Sequence, residues 1–205
     1  MKKVSIVFSA LALMAFTSCN DGKKKDEKEM DKMEQSDSNM DNDKMMDENE
    51  DMMKEKTVIV QLESKSESSA TGKVSFIEKD GVVKMEAKLT GLKPGTHAIH
   101  IHEKADCSAP DGKSAGGHWN PTFEQHGKWG DAAGYHKGDI GNFEADENGD
   151  GSISMQTDEW CIGCDDDNKN ILGKAIIVHE GADDFTSQPS GAAGARVSCG
   201  GIIEQ

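Results

Sequence analysis

Apolar and polar residues alternate in short stretches from Thr57 to the C-terminus, and turn-forming sequences separate these stretches. The clearest stretch is 82–89, where every second residue from Val83 to Leu89 is apolar and would lie on one side of an extended strand. The dipeptide Asp80-Gly81 just before it is typical of a β-hairpin turn. The whole pattern predicts strands at 57–62, 74–78, 82–89, 97–102, 141–145, 152–155, 175–178 and 196–203.

Two long connections rich in glycine and proline interrupt the predicted strands, at 103–138 and 180–195. The pattern includes no convincing amphipathic helix. Glycine is abundant at 22 residues and aromatic residues make up only 5%, which favours a small β-fold with tight turns over a large helical core. We therefore predict an all-β fold: an eight-stranded antiparallel Greek-key barrel, or immunoglobulin-like sandwich, with two long functional loops.

The N-terminus has the pattern of a secretory signal peptide. Lys2 and Lys3 precede an apolar run at 4–16, which is too short to span a bilayer but suits a signal-peptide core. Small residues directly before Cys19 resemble a bacterial lipobox, so we predict that 1–18 is removed and that Cys19 is lipidated. The alternative is ordinary signal cleavage, which would leave a free thiol. The predicted location is extracytoplasmic, as a membrane-anchored lipoprotein of the periplasm or cell surface.

The segment 19–56 is rich in acidic residues, lysine and methionine, and it contains no aromatic residue and no Val, Ile or Leu. Such a composition cannot bury enough apolar surface to offset the entropy lost on ordering, so we predict a disordered tether. Paired methionines at 45–46 and 52–53 are soft ligands that favour Cu(I), which leaves copper capture open beside a plain spacer role. The folded domain is predicted to occupy 57–205.

The five cysteines are an odd number, which needs an explanation in a secreted chain. Lipidation of Cys19 would leave four, and an even number suits an oxidising compartment. Cys161 and Cys164 have C-x-x-C spacing, which fits a redox couple, half of a metal site or a local disulfide. We favour the disulfide, since no second thiol pair is available to complete a cysteine-based zinc site. The formal net charge of −15 at pH 7 gives no reason to expect a nucleic-acid partner.

All seven histidines lie between positions 97 and 179. Residues two apart in a strand point to one face, so His100 and His102 can reach one metal ion. His97 is three residues before His100 and would point the other way. We interpret it as a hydrogen-bonded structural histidine and not as a ligand.

A second group of candidate ligands lies on the first long connection, where His118, His126, His136 and Asp139 follow one another. Imidazole and carboxylate groups suit zinc, and four such ligands complete a tetrahedral site. His179 adds a further candidate, because it directly follows a run of apolar residues predicted to be a strand.

The order and context of these residues resemble the copper/zinc superoxide dismutase family. The likeness extends over nearly all of 57–205 and leaves out the N-terminal segments and the C-x-x-C pair. It rests on long, ordered motifs: His100-Ile101-His102-Glu103, Gly116-Gly117-His118-Trp119-Asn120-Pro121, His126-Gly127, His136-Lys137-Gly138-Asp139, Val178-His179-Glu180-Gly181 with Ala182-Asp183-Asp184, and Gly194-Ala195-Arg196-Val197-Ser198-Cys199-Gly200.

This resemblance implies a bound copper and a bound zinc that share one histidine, His118. It implies the copper ligands His100, His102, His118 and His179, and the zinc ligands His118, His126, His136 and Asp139. Asp183 would link a copper histidine to a zinc histidine. The family's disulfide would join Cys107 to Cys199.

The activity implied by the resemblance is disproportionation of superoxide to oxygen and hydrogen peroxide by copper that cycles between Cu(II) and Cu(I). His118 would take up a proton when its copper bond breaks, and Arg196 would hold the anionic substrate. The stretch 180–195 contains no lysine, although a lysine there often helps to steer superoxide in the family. Long-range electrostatic attraction of the substrate is therefore in doubt for this acidic chain.

Two other functions remain open from the sequence. One is a copper-binding or storage lipoprotein on a dismutase-like scaffold, and the other is a purely structural β-domain. A carrier needs no cation for the substrate, so Arg196 beside a complete ligand set favours the enzyme. We expect superoxide as substrate, a membrane contact through the lipid at Cys19, and a homodimer as one possible assembly.

Overall fold

The computed structural model describes residues 55–204. The predicted signal peptide, the lipidation site at Cys19 and almost all of the predicted tether lie outside the described residues, and so do the methionine pairs of that tether. Between residues 55 and 204, no helix is long and apolar enough to cross a membrane.

The described chain forms a closed antiparallel barrel with the strand order β1-β2-β3-β6-β5-β4-β7-β8. This confirms the predicted all-β fold with eight strands, and the one short 3₁₀ turn among residues 55–204 is Lys113–Ala115. The strands are β1 (Lys56–Ser64), β2 (Thr71–Lys79), β3 (Val82–Thr90), β4 (Gly95–His102), β5 (Gly141–Ala145), β6 (Gly151–Thr157), β7 (Ala175–His179) and β8 (Arg196–Gly201).

The barrel interior is filled by the alternate apolar residues that the sequence pattern singles out. On β3, the side chains of Val83, Met85, Ala87 and Leu89 are almost fully buried, while the residues between them are exposed. Each large aliphatic side chain buried in this way stabilises the fold by roughly 1.5–3 kcal/mol. The single-sided burial of β3 shows that its outer face meets solvent.

Strands β4 and β7 differ, because both of their faces are buried. Ile99 and Ile101 belong to the barrel core, whereas His100 and His102 lie on the opposite face and are no more than 1% exposed. Loops must therefore cover the outer face of this part of the barrel. The strand pair β4–β7 therefore forms the barrel surface on which these loops pack.

The first loop returns to this surface through backbone pairing. Trp119 donates its amide hydrogen to Ile101 O at 2.8 Å, and Ile101 in turn donates to Gly138 O at 2.9 Å. An isolated bridge pairs His102 with His118. A side chain at position 138 would collide with the Ile101 carbonyl, so only glycine permits this close approach.

Strand β8 is shorter than predicted and ends at Gly201 instead of residue 203. The next residue, Ile202, leaves the ladder because it exchanges backbone hydrogen bonds with Lys174 and Gly173 at 2.8 and 2.9 Å. Ile202 is fully buried, while Ile203 is 56% exposed. Apolar character thus continues past the end of the strand.

Two disulfides join the cysteines within the described chain. Cys107 is bonded to Cys199, which ties the first loop to β8 across a sequence separation of 92. Cys161 is bonded to Cys164, so the C-x-x-C pair forms the local disulfide favoured from the sequence. It lies in the 158–174 connection between β6 and β7, a third long segment that the sequence pattern did not single out.

The long-range disulfide is expected to contribute more stability than the local one. Replacing Cys107→Ser and Cys199→Ser together should lower the free energy of unfolding by about 4–5 kcal/mol, because the denatured chain regains the freedom of a long loop. The matched double change, Cys161→Ser with Cys164→Ser, opens a far shorter loop and should cost only about 2 kcal/mol. Urea unfolding of both variants measures these losses, and equal losses would contradict the loop-length argument.

Candidate metal centre

Six histidines and one aspartate converge on the outer face of β4 and β7. His100 and His102 come from β4 and His179 from the end of β7. His118, His126, His136 and Asp139 come from the first long loop. All seven are buried.

These residues form two clusters that share His118. The first cluster contains His100, His102, His118 and His179, and the second contains His118, His126, His136 and Asp139. Within each cluster, one potential ligand atom per residue lies within 4.8 Å of the others. The structure thus brings together every candidate ligand that the sequence suggested, in the grouping that the family resemblance implied.

The ring nitrogens of the six histidines provide a test of whether these clusters fit metal ions. On each ring, one buried nitrogen makes no hydrogen bond among the described residues: His100 Nδ1, His102 Nε2, His118 Nε2, His126 Nδ1, His136 Nδ1 and His179 Nε2. Of these, the Nδ1 atoms of His126 and His136 lie 3.0 and 3.3 Å from the Asp139 carboxylate, a ligand of the same cluster. A buried polar atom without a partner costs roughly 1–3 kcal/mol. Six in one place are best explained as ligand atoms, so the clusters fit two metal ions.

The opposite nitrogens of the first cluster are held by protein oxygens. His102 donates from Nδ1 to Gly116 O at 3.0 Å, and His179 lies with Nδ1 3.4 Å from Gly194 O. Such contacts select the tautomer and the ring orientation, so that Nε2 is left free to bind a metal.

Asp183 connects the two clusters from behind. Its Oδ2 accepts a hydrogen bond from His100 Nε2 at 2.8 Å, and its Oδ1 accepts one from His126 Nε2 at 2.9 Å. The Asn142 side chain in turn fixes the Asp183 backbone: its Nδ2 donates to Asp183 O, and its Oδ1 accepts from Asp183 N, both at 2.8 Å. The carboxylate therefore orients one ring in each cluster. A side chain at Gly191 would collide with this carboxylate, which explains the glycine there.

His118 stands between the clusters. Its Nδ1 contacts Asp139 Oδ1 at 2.8 Å in the second cluster, so Nε2 is the nitrogen left for the first. Asp139 also accepts backbone hydrogen bonds from Gly127 at 3.2 Å and His136 at 2.8 Å. Despite its burial, these hydrogen bonds and the nearby histidines hold the pKa of Asp139 far below its usual range.

The pKa values of the buried rings shift in different directions. Burial lowers the pKa of His118 to about 4 and that of His179 to about 3. Burial also opposes a charge on His126, but the Asp139 carboxylate 3.0 Å from its Nδ1 and the Asp183 carboxylate bonded to its Nε2 prevail and raise its pKa to about 9. At neutral pH, His118 and His179 are therefore neutral and offer lone pairs, as metal binding requires.

His97 has the structural role expected from its position. Its Nδ1 lies 2.8 Å from His179 O and its Nε2 lies 2.7 Å from Lys93 O. The ring also packs against Phe143, with 5.9 Å between ring centroids. It belongs to neither cluster.

An open cavity of about 770 Å³ leads to the clusters, and Arg196 lies on its wall with His102, His118 and His179. Arg196 is the register partner of His179 where a bulge interrupts the β7–β8 ladder. Its Nη1 donates to Gly112 O at 2.9 Å, which fixes the guanidinium. Burial lowers the pKa of Arg196, while Asp111 and Glu103 oppose that shift.

Glu103 supports the backbone next to His118, a contact that the sequence pattern does not predict. This side chain follows His102, and its Oε2 accepts a hydrogen bond from Gly117 N at 3.2 Å, directly before His118. Its presence beside Gly116 and Gly117 could have been suspected from the double glycine, which leaves room for a side chain to approach the backbone.

Taken together, the closed barrel and the two histidine clusters define a two-metal β-barrel protein with an accessible site. The family profile described as copper/zinc superoxide dismutase matches residues 70–202. The chain therefore belongs to the copper/zinc superoxide dismutase family. The family implies copper and zinc as its cofactors and superoxide as its substrate, and the two clusters are able to hold both metals.

Individual relatives agree with this assignment. A protein named superoxide dismutase [Cu-Zn] 2 from Aquifex aeolicus is 36% identical over 142 residues, covering 67% of this chain and 81% of that relative. A superoxide dismutase-like protein from Bacillus subtilis is also 36% identical over 142 residues, covering 67% of this chain and 71% of that relative. The crystal structure of a double mutant of a SOD-like protein from Bacillus subtilis aligns with a TM-score of 0.64 at 36% identity, covering 71% of this chain and 97% of that chain.

Acidification should destabilise the metal-free protein. The unfolded rings take up protons near pH 6.5, whereas His118 and His179 in the folded state do so only near pH 4 and 3. Stability that is present above pH 6.5 is therefore lost as the pH falls toward 4, by on the order of 2 kcal/mol or more. The raised pKa of His126 does not offset this loss, since its contribution is complete below pH 6.5 and declines only as the pH rises through about 9.

Urea unfolding of the chelator-treated protein between pH 7 and 4.5 measures this dependence. The variant His179→Asn, which removes one of the titrating rings, serves as the control and should show a weaker dependence on pH. An unchanged free energy of unfolding across this range would show that the buried rings are not held neutral.

Proposed function

We propose that the chain disproportionates superoxide to oxygen and hydrogen peroxide at a copper ion that cycles between Cu(II) and Cu(I), beside a zinc ion. Copper would be held by His100, His102, His118 and His179, and zinc by His118, His126, His136 and Asp139. The main support is the six unpartnered ring nitrogens, which divide between two clusters that share one histidine. Bound copper would supply one-electron redox chemistry, and bound zinc a fixed positive charge next to it.

The chain itself supplies ligand orientation and proton handling. Asp183 fixes one ring in each cluster, so the two sites keep a constant relative position. The Nε2 atom of His118 has no other partner, so it can hold a proton whenever it is not a ligand. Two superoxide anions and two protons give one oxygen and one hydrogen peroxide, and this nitrogen can deliver one of those protons.

Arg196 provides the cation for the substrate. It is half-buried and hydrogen-bonded to Gly112, and it lines the same cavity as three of the proposed copper ligands. A fixed charge next to a partly dehydrated site attracts an anion more strongly than a charge in bulk water. Arg196 is therefore proposed to dock superoxide beside the copper ion.

The rest of the cavity wall gives little long-range attraction. Lys113 is the other cation on the wall formed by the described residues, but its ammonium lies 3.0 Å from the Asp111 carboxylate and its side chain is exposed. Glu103 and Glu124 add further negative charge to the same wall. Docking at short range, and not steering from a distance, is the contribution that this arrangement favours.

A copper store or carrier is the second candidate, because one relative is named only superoxide dismutase-like. A carrier needs ligands but no anion site. The two functions are therefore separated by whether the copper- and zinc-loaded wild-type protein consumes superoxide catalytically.

Loss of the shared ligand should damage both sites together. We expect His118→Ala to lower the copper and zinc contents of the purified protein, since its two nitrogens serve different clusters. His179→Ala serves as the matched control and should lower copper while zinc stays near one per chain. Metal analysis combined with a superoxide-consumption assay measures both effects. Normal metal content and activity in His118→Ala would show that this ring is not shared.

Neutralising the cation should slow catalysis without removing metal. We expect Arg196→Ala to lower kcat/KM for superoxide by about one to two orders of magnitude, and Arg196→Glu to lower it further through repulsion. Copper and zinc contents should stay at the wild-type level in both variants. Full activity of Arg196→Ala with both metals bound would show that Arg196 does not dock the substrate.

A salt titration of the wild-type rate adds an independent measurement of the same model. Because acidic side chains surround the cavity, added salt should leave the rate flat or raise it modestly. A steep decrease would reveal strong positive steering, which the distribution of charges on the cavity wall does not explain.

A further inference from the structure

Two consecutive residues after β6, Glu159 and Trp160, contact the first loop on both sides of His136. The Glu159 carboxylate accepts a hydrogen bond from the Tyr135 hydroxyl at 2.7 Å and forms an ion pair with Lys137. The indole N–H of Trp160 donates to the backbone carbonyl of Lys137 at 2.9 Å. The neighbours of His136 on either side are thus held by one dipeptide, which we call the clamp.

The clamp is anchored in the barrel core. Trp160 is 1% exposed, and its ring meets Phe76 of β2 edge-on with 6.2 Å between centroids. The same ring also meets Trp129 edge-on with 5.3 Å between centroids, and Trp129 contacts Tyr135 in a tilted arrangement with 5.0 Å between centroids. A continuous row of aromatic rings therefore connects the rigid barrel to the residue before His136.

The segment after the clamp is closed by the local disulfide. Cys161 follows Trp160 directly, is bonded to Cys164, and exchanges backbone hydrogen bonds with Lys169 and Ile171. The next amide, Ile162 N, donates to Glu78 Oε2 at the end of β2 at 2.8 Å. These bonds restrict the backbone on the C-terminal side of Trp160.

We infer that Glu159 and Trp160 are positioning residues for His136, and that the Cys161–Cys164 disulfide holds them in place. The inference rests on the proposed function, because it takes His136 as a zinc ligand. Fixing both neighbours of His136 restricts the movement of its ring relative to Asp139, His118 and His126. This gives the C-x-x-C pair, which lies outside both metal clusters, a role in retaining zinc.

His136 has particular need of this support. Unlike His100 and His126, it has no hydrogen bond to Asp183, and its main local contacts are with Asp139 three residues later. Its ring also lines the open cavity. Support through the neighbouring residues compensates for the absence, within the described chain, of a carboxylate behind the ring.

Three variants test the inference. Glu159→Gln keeps the size of the side chain but removes the charge that Lys137 contacts. Trp160→Phe keeps an aromatic ring in the core but removes the indole N–H. Cys161→Ser combined with Cys164→Ser removes the local disulfide that follows the clamp. The matched control for the first is Glu86→Gln, which removes a similar ion pair with Lys84 on exposed β3.

The first measurement is the rate at which the copper- and zinc-loaded protein releases zinc to a chromogenic chelator. Supporting groups around metal ligands influence affinity by 10–100-fold, so these more distant contacts should accelerate zinc release by roughly fivefold to tenfold. Copper release and the Glu86→Gln control should stay within about twofold of the wild-type protein, the scatter usual for a neutral surface change.

The second measurement separates positioning from general stability. Co²⁺ placed in the zinc site gives visible absorption bands that depend on ligand geometry. The bands should shift in Glu159→Gln and Trp160→Phe and not in Glu86→Gln. Lower thermal stability with unchanged cobalt bands and unchanged zinc release would overturn the inference, since the clamp would then only stabilise the fold.

Zinc release from His136→Ala distinguishes failure of the zinc assignment from failure of the clamp alone. If His136→Ala releases zinc no faster than the wild-type protein, His136 is not a ligand, and both the assignment and the clamp are overturned. If His136→Ala loses zinc while all three clamp variants behave as the wild-type protein, only the clamp is overturned.

Discussion

The removal of imidazole nitrogens from water is the constraint on which the rest of this structure depends. Six rings are buried together, and each must find partners for two nitrogens or lose stability. Protein oxygens satisfy one side of most rings, as Asp183 does for His100 and His126. The nitrogens that make no hydrogen bond all belong to the two clusters, so bound metal ions would complete what the protein leaves unpaired. The loops, their glycines and their disulfide serve to keep the rings in this arrangement.

The ligands are positioned by elements of different rigidity. His100 and His102 lie in β4 and pair in register with Ile177 and Ala175 of β7, so the barrel determines their location. The loop ligands have no such ladder and depend on separate contacts, among them the bridge between His102 and His118. The ligands on β4 and β7 are thus positioned by the sheet, whereas each loop ligand must be supported by further side chains. Hydrogen bonds from outside the clusters, such as those of Asp183, therefore help to orient the rings.

Much of the fold and most of the site could be predicted from the sequence. Alternation of apolar residues predicted strands such as β3, because the barrel has one interior face, and a continuous apolar run predicted β7. The spacing of His100 and His102 placed both on one face, because side chains alternate between the two faces along a strand. Burial of the outer face of β4 was not visible, since it depends on loops far away in sequence. The contacts of Glu103, Glu159 and Trp160 were also missed, because they join segments whose proximity exists only in the folded chain.

The bulge between Val178 and His179 has a geometric consequence. It brings His179 and Arg196 opposite each other on adjacent strands, so the proposed copper ligand and the cation proposed for the substrate occupy one position of the same ladder. A slip of one residue in either strand would turn that strand's side chain to the opposite face and separate the pair. As long as the register of β7 and β8 is kept, the proposed copper ligand and the proposed anion site can change position only together, whatever the charges on the surrounding loops.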